Sequence, residues 1–192
     1  MLDKLKIGVD IDGVLSDSNK VFISHINNKY GLSWSTDDVR DYWFTDLSNI
    51  IGGREQIIEE WMFLHKNNLL LNCPTTSKAI LFNMLPGEVN LVTHRDPITI
   101  ECTQKWLKKN NLSRHKEVFF VNGPKSKTGK WDYFIEDCPE NIEDLIPVVS
   151  EKIILFDHPY NREFNHSEKV IRVKCWEEIT DFFKKEITKK FS

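Results

Sequence analysis

The sequence predicts an α/β fold: a doubly wound, mostly parallel sheet with a small helical cap inserted after the first strand. Three observations predict it. Short apolar runs recur at Leu5 to Val9, Val89 to Val92, Val118 to Val121, Tyr133 to Ile135, Ile153 to Phe156 and Val170 to Val173. They lack the alternation of a half-wetted strand, as expected where a parallel sheet is covered on both faces. Helical patterns separate the runs. Between the first and second, residues 17–74 show helical spacing without any strand run, too long a stretch for a simple crossover. The expected division is therefore a Rossmann-like core of residues 1–16 and 75–192 and a cap of residues 17–74.

The first run ends in Asp10-Ile11-Asp12-Gly13, as a strand does where it meets a loop. Inside the expected cap, Val21, Phe22, His25 and Ile26 share one helical face, and Ile57, Ile58, Trp61 and Met62 share another. Trp61 with Ile57 and Ile58 is read as the filling of the cap's own core, and Gly52-Gly53 as a turn between cap helices. Tyr42-Trp43-Phe44 differ, because three consecutive aromatics cannot all face one core from a helix. At least one must be exposed or face the cleft, and Trp43 and Phe44 are carried as candidate substrate contacts. Asp96-Pro97, a capping residue before a first-turn proline, opens a helix with Ile98, Cys102 and Trp106 at spacing four, broken at Asn110-Asn111. A last helix runs from Trp176 with Ile179, Phe183 and Ile187 on one face. Its lysines, Lys184, Lys185, Lys189 and Lys190, read as a solvated face that complements the helix dipole.

Composition excludes several classes. The 192 residues are 40% apolar and 29% charged, with eight Gly and seven Pro, which is a globular composition and not a disordered one. No apolar run approaches the 18 or so residues of a membrane span, and the start reads as no signal peptide, so a cytoplasmic protein is expected. Twenty-six basic against 29 acidic residues, net −3, give no global field for nucleic acid or anionic lipid, so a small-molecule partner is expected. The four cysteines form no C-x-x-C pair and are read as reduced, mostly buried thiols. Lone histidines such as His25, His65, His115 and His166 are read as surface or core groups. Oligomeric state is left open, with a homodimer as a candidate.

In doubly wound sheets ligands bind at the carboxyl ends of the strands, so the polar residues after each apolar run are the ones to collect. They are Asp10, Asp12 and Gly13; Thr93, His94 and Arg95; Asn122 to Lys125; Glu136 and Asp137; and Asp157. Several carboxylates converging on one point need a counter-charge, and hard oxygen donors select Mg²⁺. Two aspartates one residue apart after a strand point to the same side. That suits one as nucleophile or ligand and the other as general acid/base. A Thr hydroxyl and a Lys ammonium from neighbouring strands can hold phosphoryl oxygens. His94 and Arg95 read either as surface groups or as substrate contacts. Lys125 and Lys127 both precede the fourth motif at workable distances, and Lys125 stands closer to the third strand. The loop Asp157 to Arg162 lies on the same edge and is read either as shaping the loop or as lining the site, outside the catalytic set.

Asp10-Ile11-Asp12-Gly13-Val14, Leu91-Val92-Thr93, a lysine near position 125 and Tyr133-Phe134-Ile135-Glu136-Asp137 resemble, in order, the four motifs of haloacid dehalogenase-like phosphohydrolases. The resemblance covers nearly the whole chain. Within that superfamily the chain is most similar to the 5′(3′)-deoxyribonucleotidase group and its bacterial relatives. The resemblance implies hydrolysis of a phosphomonoester, a nucleoside monophosphate foremost, through an aspartyl-phosphate on Asp10, with Asp12 as acid and then base. It implies Mg²⁺ held by the Asp10 carboxylate, the backbone carbonyl of Asp12 and the Asp137 carboxylate, with Glu136 one layer out, and Thr93 and Lys125 on the phosphoryl group.

Overall fold

The structure, a computed structural model, describes residues 5–165 and 167–191; His166 and the side chain of Lys190 lie outside the described residues. Strands β1 (Lys6–Val9), β2 (Glu88–Thr93), β3 (Val118–Phe120), β4 (Trp131–Glu136), β5 (Val149–Phe156) and β6 (Val170–Val173) form one sheet. Their order is β3-β2-β1-β4-β5-β6, and every neighbouring pair is parallel. The chain winds outward from β1 through β2 to β3, then crosses back to β4 and winds the other way. The reversal leaves a crevice at the carboxyl ends of β1 and β4, where such sheets bind ligands.

Both faces of the sheet are covered, which is why the strand runs do not alternate. Ile7, Val9, Tyr133 and Ile135 pack on one side with Trp106 of α4 (Ile100–Lys109) and Trp176, Ile179 and Phe183 of α6 (Trp176–Phe191). Phe134, Ile153 and Leu155 pack on the other with Ile142 and Leu145 of α5 (Pro139–Leu145). Gly8 in β1 leaves the space that the Phe134 ring fills. The described lysines of α6, Lys184, Lys185 and Lys189, are exposed, and Ile187 is half-buried. No helix among the described residues is long and apolar enough to cross a membrane. All four cysteines are free, and three of them are buried.

Between β1 and β2 lie α1 (Ser18–Tyr30), α2 (Thr45–Ile51) and α3 (Arg54–Lys66), with 3-10 turns at Thr36–Asp38, Leu69–Asn72 and Ala79–Met84. The chain enters and leaves the helices through adjacent backbone: Asp17 N–H donates to Pro74 at 2.9 Å, and Ser16 pairs with Thr75. Phe22, Ile26, Leu47, Ile57 and Leu64 gather in one apolar cluster, and Trp61 stacks on Phe22 at 4.3 Å. Glu60 is buried among them. It accepts from His25 (2.8 Å), Lys29 (2.6 Å), Tyr30 (2.7 Å) and Gln56 (2.8 Å), joining α1 to α3. His25 is thus half of a cross-helix hydrogen bond. Gly52 and Gly53, both at positive φ, make the turn from α2 to α3.

Two apolar expectations fail. Ile58 is 52% exposed and does not fill the cluster, because Ile57 one position earlier takes the inward direction on α3. Ile98 is 57% exposed. Asp96 does cap, accepting from Ile98 N–H at 2.8 Å, but Pro97–Thr99 is a 3-10 turn, so the helix phase shifts and Thr99 points inward instead. Cys102 and Trp106 are buried as expected.

Candidate active site

The register carries the acidic residues together. Val9 of β1 pairs with Ile135 of β4, and Asp10 N–H donates to the Ile135 carbonyl at 3.0 Å, so Asp10 emerges beside Glu136 and Asp137. On the other flank Val9 pairs with Leu91, which brings the end of β2, Thr93, to the same edge. A carboxylate oxygen from each of Asp10, Glu136 and Asp137 lies within 4.8 Å of the others, all three buried.

The charges are arranged unequally. Lys125, fully buried, sits 2.9 Å from Asp10 Oδ1 and 2.7 Å from Glu136 Oε2. Lys127 is exposed. Burial works against charge on Lys125, but the two carboxylates hold it firmly protonated. The other Glu136 oxygen accepts the backbone N–H groups of Asp137 and Cys138, both at 3.1 Å. Glu136 is therefore satisfied on both oxygens and, although burial opposes it, Lys125 keeps its pKa below the usual value. Asp10 and Asp137 lie well above theirs, through burial first and then repulsion from Glu136.

This donor set fits a hard divalent cation. Asp137 Oδ1 is buried with no hydrogen-bond partner, next to an Asp10 carboxylate that burial disfavours as an anion. Gly13, at φ 79°, completes the cradle: a Cβ there would collide with the Asp137 carboxylate. The side chain of Asp12 is turned elsewhere. Arg95 donates Nε to Oδ2 at 2.8 Å and Nη2 to Oδ1 at 2.7 Å, and Ser16 Oγ donates to Oδ1 at 2.8 Å. Burial pushes the Asp12 pKa up, yet the Arg95 charge and these hydrogen bonds outweigh it and hold it at about 2.

Of the two readings of Arg95, the surface group is excluded: it is only 2% exposed and lines the same cavity as Asp10 and Asp12. The reason is a partner 83 residues away, invisible to local pattern. Thr93 is buried, its Oγ1 accepting the Arg95 backbone N–H at 3.1 Å, while His94 is exposed and donates Nε2 to the Gly123 carbonyl at 2.9 Å.

A cavity of about 240 Å³ opens over these groups. Its floor includes Asp10, Asp12, Thr93, His94, Arg95 and Asp137, and its walls come from the helical segment. Tyr42, Trp43 and Phe44 all line it, and so do Ile57, Ile58 and Trp61. Trp43 and Phe44 enter from a turn and not a helix, Phe44 being in the left-handed region at φ 55°. Phe44 is buried against Phe22 at 5.1 Å. Trp43, 44% exposed, stands at the rim with the Arg54 guanidinium 4.1 Å over its ring. His65 and Tyr160 also line the cavity; His65 was not expected there, whereas Tyr160 belongs to the loop after β5 that was read as able to line this edge. A periodicity argument had no means to find His65. The position of Tyr160 just after β5 did carry a signal, since strand ends collect at this edge.

Comparison with known proteins agrees with this architecture. Residues 4–190 match the family described as 5′ nucleotidase, deoxy (pyrimidine), cytosolic type C protein. The chain is 28% identical over 189 residues to the candidate nucleotidase YqfW of Bacillus subtilis (strain 168), covering 93% of each chain. Among solved structures it shares its fold with the haloacid dehalogenase-like hydrolase SP0104 of Streptococcus pneumoniae. That likeness has TM-score 0.64 and 12% identity, over 95% of this chain and 100% of the other. A candidate haloacid dehalogenase-like hydrolase, YfnB of Bacillus subtilis, solved bound to magnesium, aligns at TM-score 0.59 and 11% identity over 94% and 98%. The chain belongs to the 5′ nucleotidase, deoxy (pyrimidine), cytosolic type C family, has the fold of haloacid dehalogenase-like hydrolases, and is a phosphoric monoester hydrolase.

Proposed function

We propose that this protein is a Mg²⁺-dependent nucleotidase that hydrolyses (deoxy)nucleoside monophosphates through an aspartyl-phosphate on Asp10, with residues 17–74 as the cap over its site. The observation that carries the reading is the pairing of Asp10, on the floor of an aromatic-walled cavity, with the buried Lys125 at 2.9 Å, and Asp12 lines the same floor. Asp10 attacks phosphorus as the ester P–O bond breaks, and Asp12 delivers a proton to the leaving oxygen. Asp12 then takes a proton from water, which attacks phosphorus and releases phosphate from Asp10. In the resting site Asp12 is ionised; it takes up a proton from solvent as the phosphate dianion arrives and competes for Arg95, and returns one to solvent as phosphate leaves. Lys125 and Thr93 hold the phosphoryl oxygens, and His94 and Arg95 border them. Asp10, Asp137 and the Asp12 backbone carbonyl would hold Mg²⁺, which would supply charge stabilisation to the transferring group. Glu136, whose oxygens are already satisfied, anchors Lys125.

The aromatic walls are what favour a nucleoside leaving group over a smaller alcohol, since base-on-aromatic stacking is worth about 1–3 kcal/mol per base. A panel of nucleoside monophosphates and sugar phosphates tests this, with turnover expected for the nucleotides. Turnover of sugar phosphates alone would sink the nucleotidase reading. Asp10→Asn and removal of Mg²⁺ by chelation are each expected to abolish hydrolysis of an aryl phosphate, and activity retained by Asp10→Asn would mean another nucleophile.

A further inference from the structure

We propose that the loop after β5 is a positioning clamp for the metal-binding carboxylate, with Tyr160 as the residue that aims Asp137. The proposal rests on the Mg²⁺ reading above and extends it to residues outside the four motifs. Tyr160 Oη donates to Asp137 Oδ2, while Oδ1 of the same carboxylate is the buried oxygen left without a partner. One oxygen is thereby fixed to the protein and the other is left for a cation. Asn161, fully buried, donates Nδ2 both to the Asp137 backbone carbonyl at 2.8 Å and to the Phe156 carbonyl at 2.9 Å. It ties the end of β4 to the end of β5. His158 donates Nε2 to the Gly13 carbonyl at 2.6 Å, which pins the Asp12-Gly13 turn beside the same carboxylate.

The clamp is itself held on every side. The His158 and Tyr160 rings stack at 4.9 Å with planes 7° apart, and Tyr42 meets Tyr160 edge-on at 5.9 Å from the helical segment. Arg172 of β6 donates to Asn161 Oδ1 at 2.7 Å and to the Asn161 carbonyl at 2.9 Å, and also reaches Asp157 at 2.8 Å. A phenol buried to 7% exposure and packed between two rings has one orientation available, so its hydroxyl can fix the carboxylate it touches. Metal-ligating carboxylates are held by outer hydrogen bonds of this kind, and losing one weakens metal affinity about 10–100-fold. Tyr160 is a positioning residue: it acts through Asp137 and has no role of its own at the phosphorus.

The test is Mn²⁺ binding, followed by the electron paramagnetic resonance signal of the free ion, in the full chain and in Tyr160→Phe and Arg162→Gln. Arg162 lies on the same loop, 59% exposed, and touches Asp157 at 3.2 Å. Tyr160→Phe keeps the ring and its stacking and removes only the hydroxyl. The expected result is an Mn²⁺ Kd about tenfold weaker in Tyr160→Phe, an unchanged Kd in Arg162→Gln, and a metal-free melting temperature close to that of the parent in both. A Kd for Tyr160→Phe within about twofold of the parent, or an equal loss in Arg162→Gln, overturns the clamp while leaving the metal reading intact. Failure of the parent chain to bind Mn²⁺ at all overturns the metal reading, and the clamp with it.

Discussion

Arg95 and Asp12, 83 positions apart, form a two-point ion pair, Nε to Oδ2 at 2.8 Å and Nη2 to Oδ1 at 2.7 Å. Thr103 Oγ1 and Ser16 Oγ, each at 3.2 Å, take further donors of the same guanidinium, so it is fixed in plane as well as in charge. Arg95→Met is expected to lower kcat on an aryl phosphate by about 10²-fold, the low end of what one acid/base group contributes. Asp12, freed from the charge that holds it at about 2, would ionise at higher pH, and the acidic limb of the rate profile would move upward. Arg95→Lys should recover only part of the rate, because an ammonium cannot span both oxygens. Full recovery would show that charge alone suffices.

Metal-free protein should lose stability as pH rises. Burial and the charge on Glu136 raise the Asp10 and Asp137 pKa values well above 3.8, so folding favours their protonated forms. That contribution is complete below the ordinary value and disappears as pH climbs through the raised ones. Mg²⁺ requires the ionised forms, so its stabilisation grows in the same direction. Thermal melts at about pH 5 and about pH 8, with and without Mg²⁺, should show the larger gain at the higher pH, reaching about 2.7 kcal/mol at 100 times Kd. A gain that shrinks with pH would count against these carboxylates as ligands.

Glu60 makes the opposite pH prediction for the helical segment. Its burial resists ionisation, but hydrogen bonds from Lys29, His25, Tyr30 and Gln56 lower its pKa from 4.5 to about 2. The ionised form is favoured by folding, so the contribution is present above 4.5 and is lost as pH falls toward about 2. Glu60→Ala, which strands the buried ends of these donors, should cost about 2–3 kcal/mol. Urea unfolding at neutral pH measures that cost, and the gap between parent and variant should narrow in acid.

Trp43 has one face under Arg54 and donates Nε1 to Glu140 at 2.9 Å, so it bridges the helical segment to α5 at the cavity rim. Trp43→Ala should raise KM for a nucleoside monophosphate by about tenfold, within the value of one stacked base. The rise for a small alkyl phosphate should be smaller. Equal rises for both would place Trp43 in cap closure and not in base recognition.

Much of the fold was legible along the chain. Six apolar runs marked six strands, because a sheet buried on both faces leaves a continuous apolar record. The stretch 17–74 stood out because helical spacing replaced strand runs there. Asp10, Asp12, Thr93, Lys125, Glu136 and Asp137 were all collected by one rule, that polar residues follow strands at a doubly wound edge, and all six meet at that edge. Ile98 and Ile58 escaped the same kind of reading, since a single 3-10 turn or one residue of phase redirects a side chain.

The sequence by itself determined which residue types follow which strands, and hence that acidic groups, a hydroxyl and a lysine share one edge of the sheet. Only the tertiary structure decided how they pair. It gave Lys125 to Asp10 and Glu136, gave Arg95 to Asp12, and left Asp137 with one free oxygen under Tyr160. The physical reason is distance along the chain. A strand end is a local signal written in neighbouring residues, whereas a buried ion pair depends on which side chains the strand order and register bring within 3 Å.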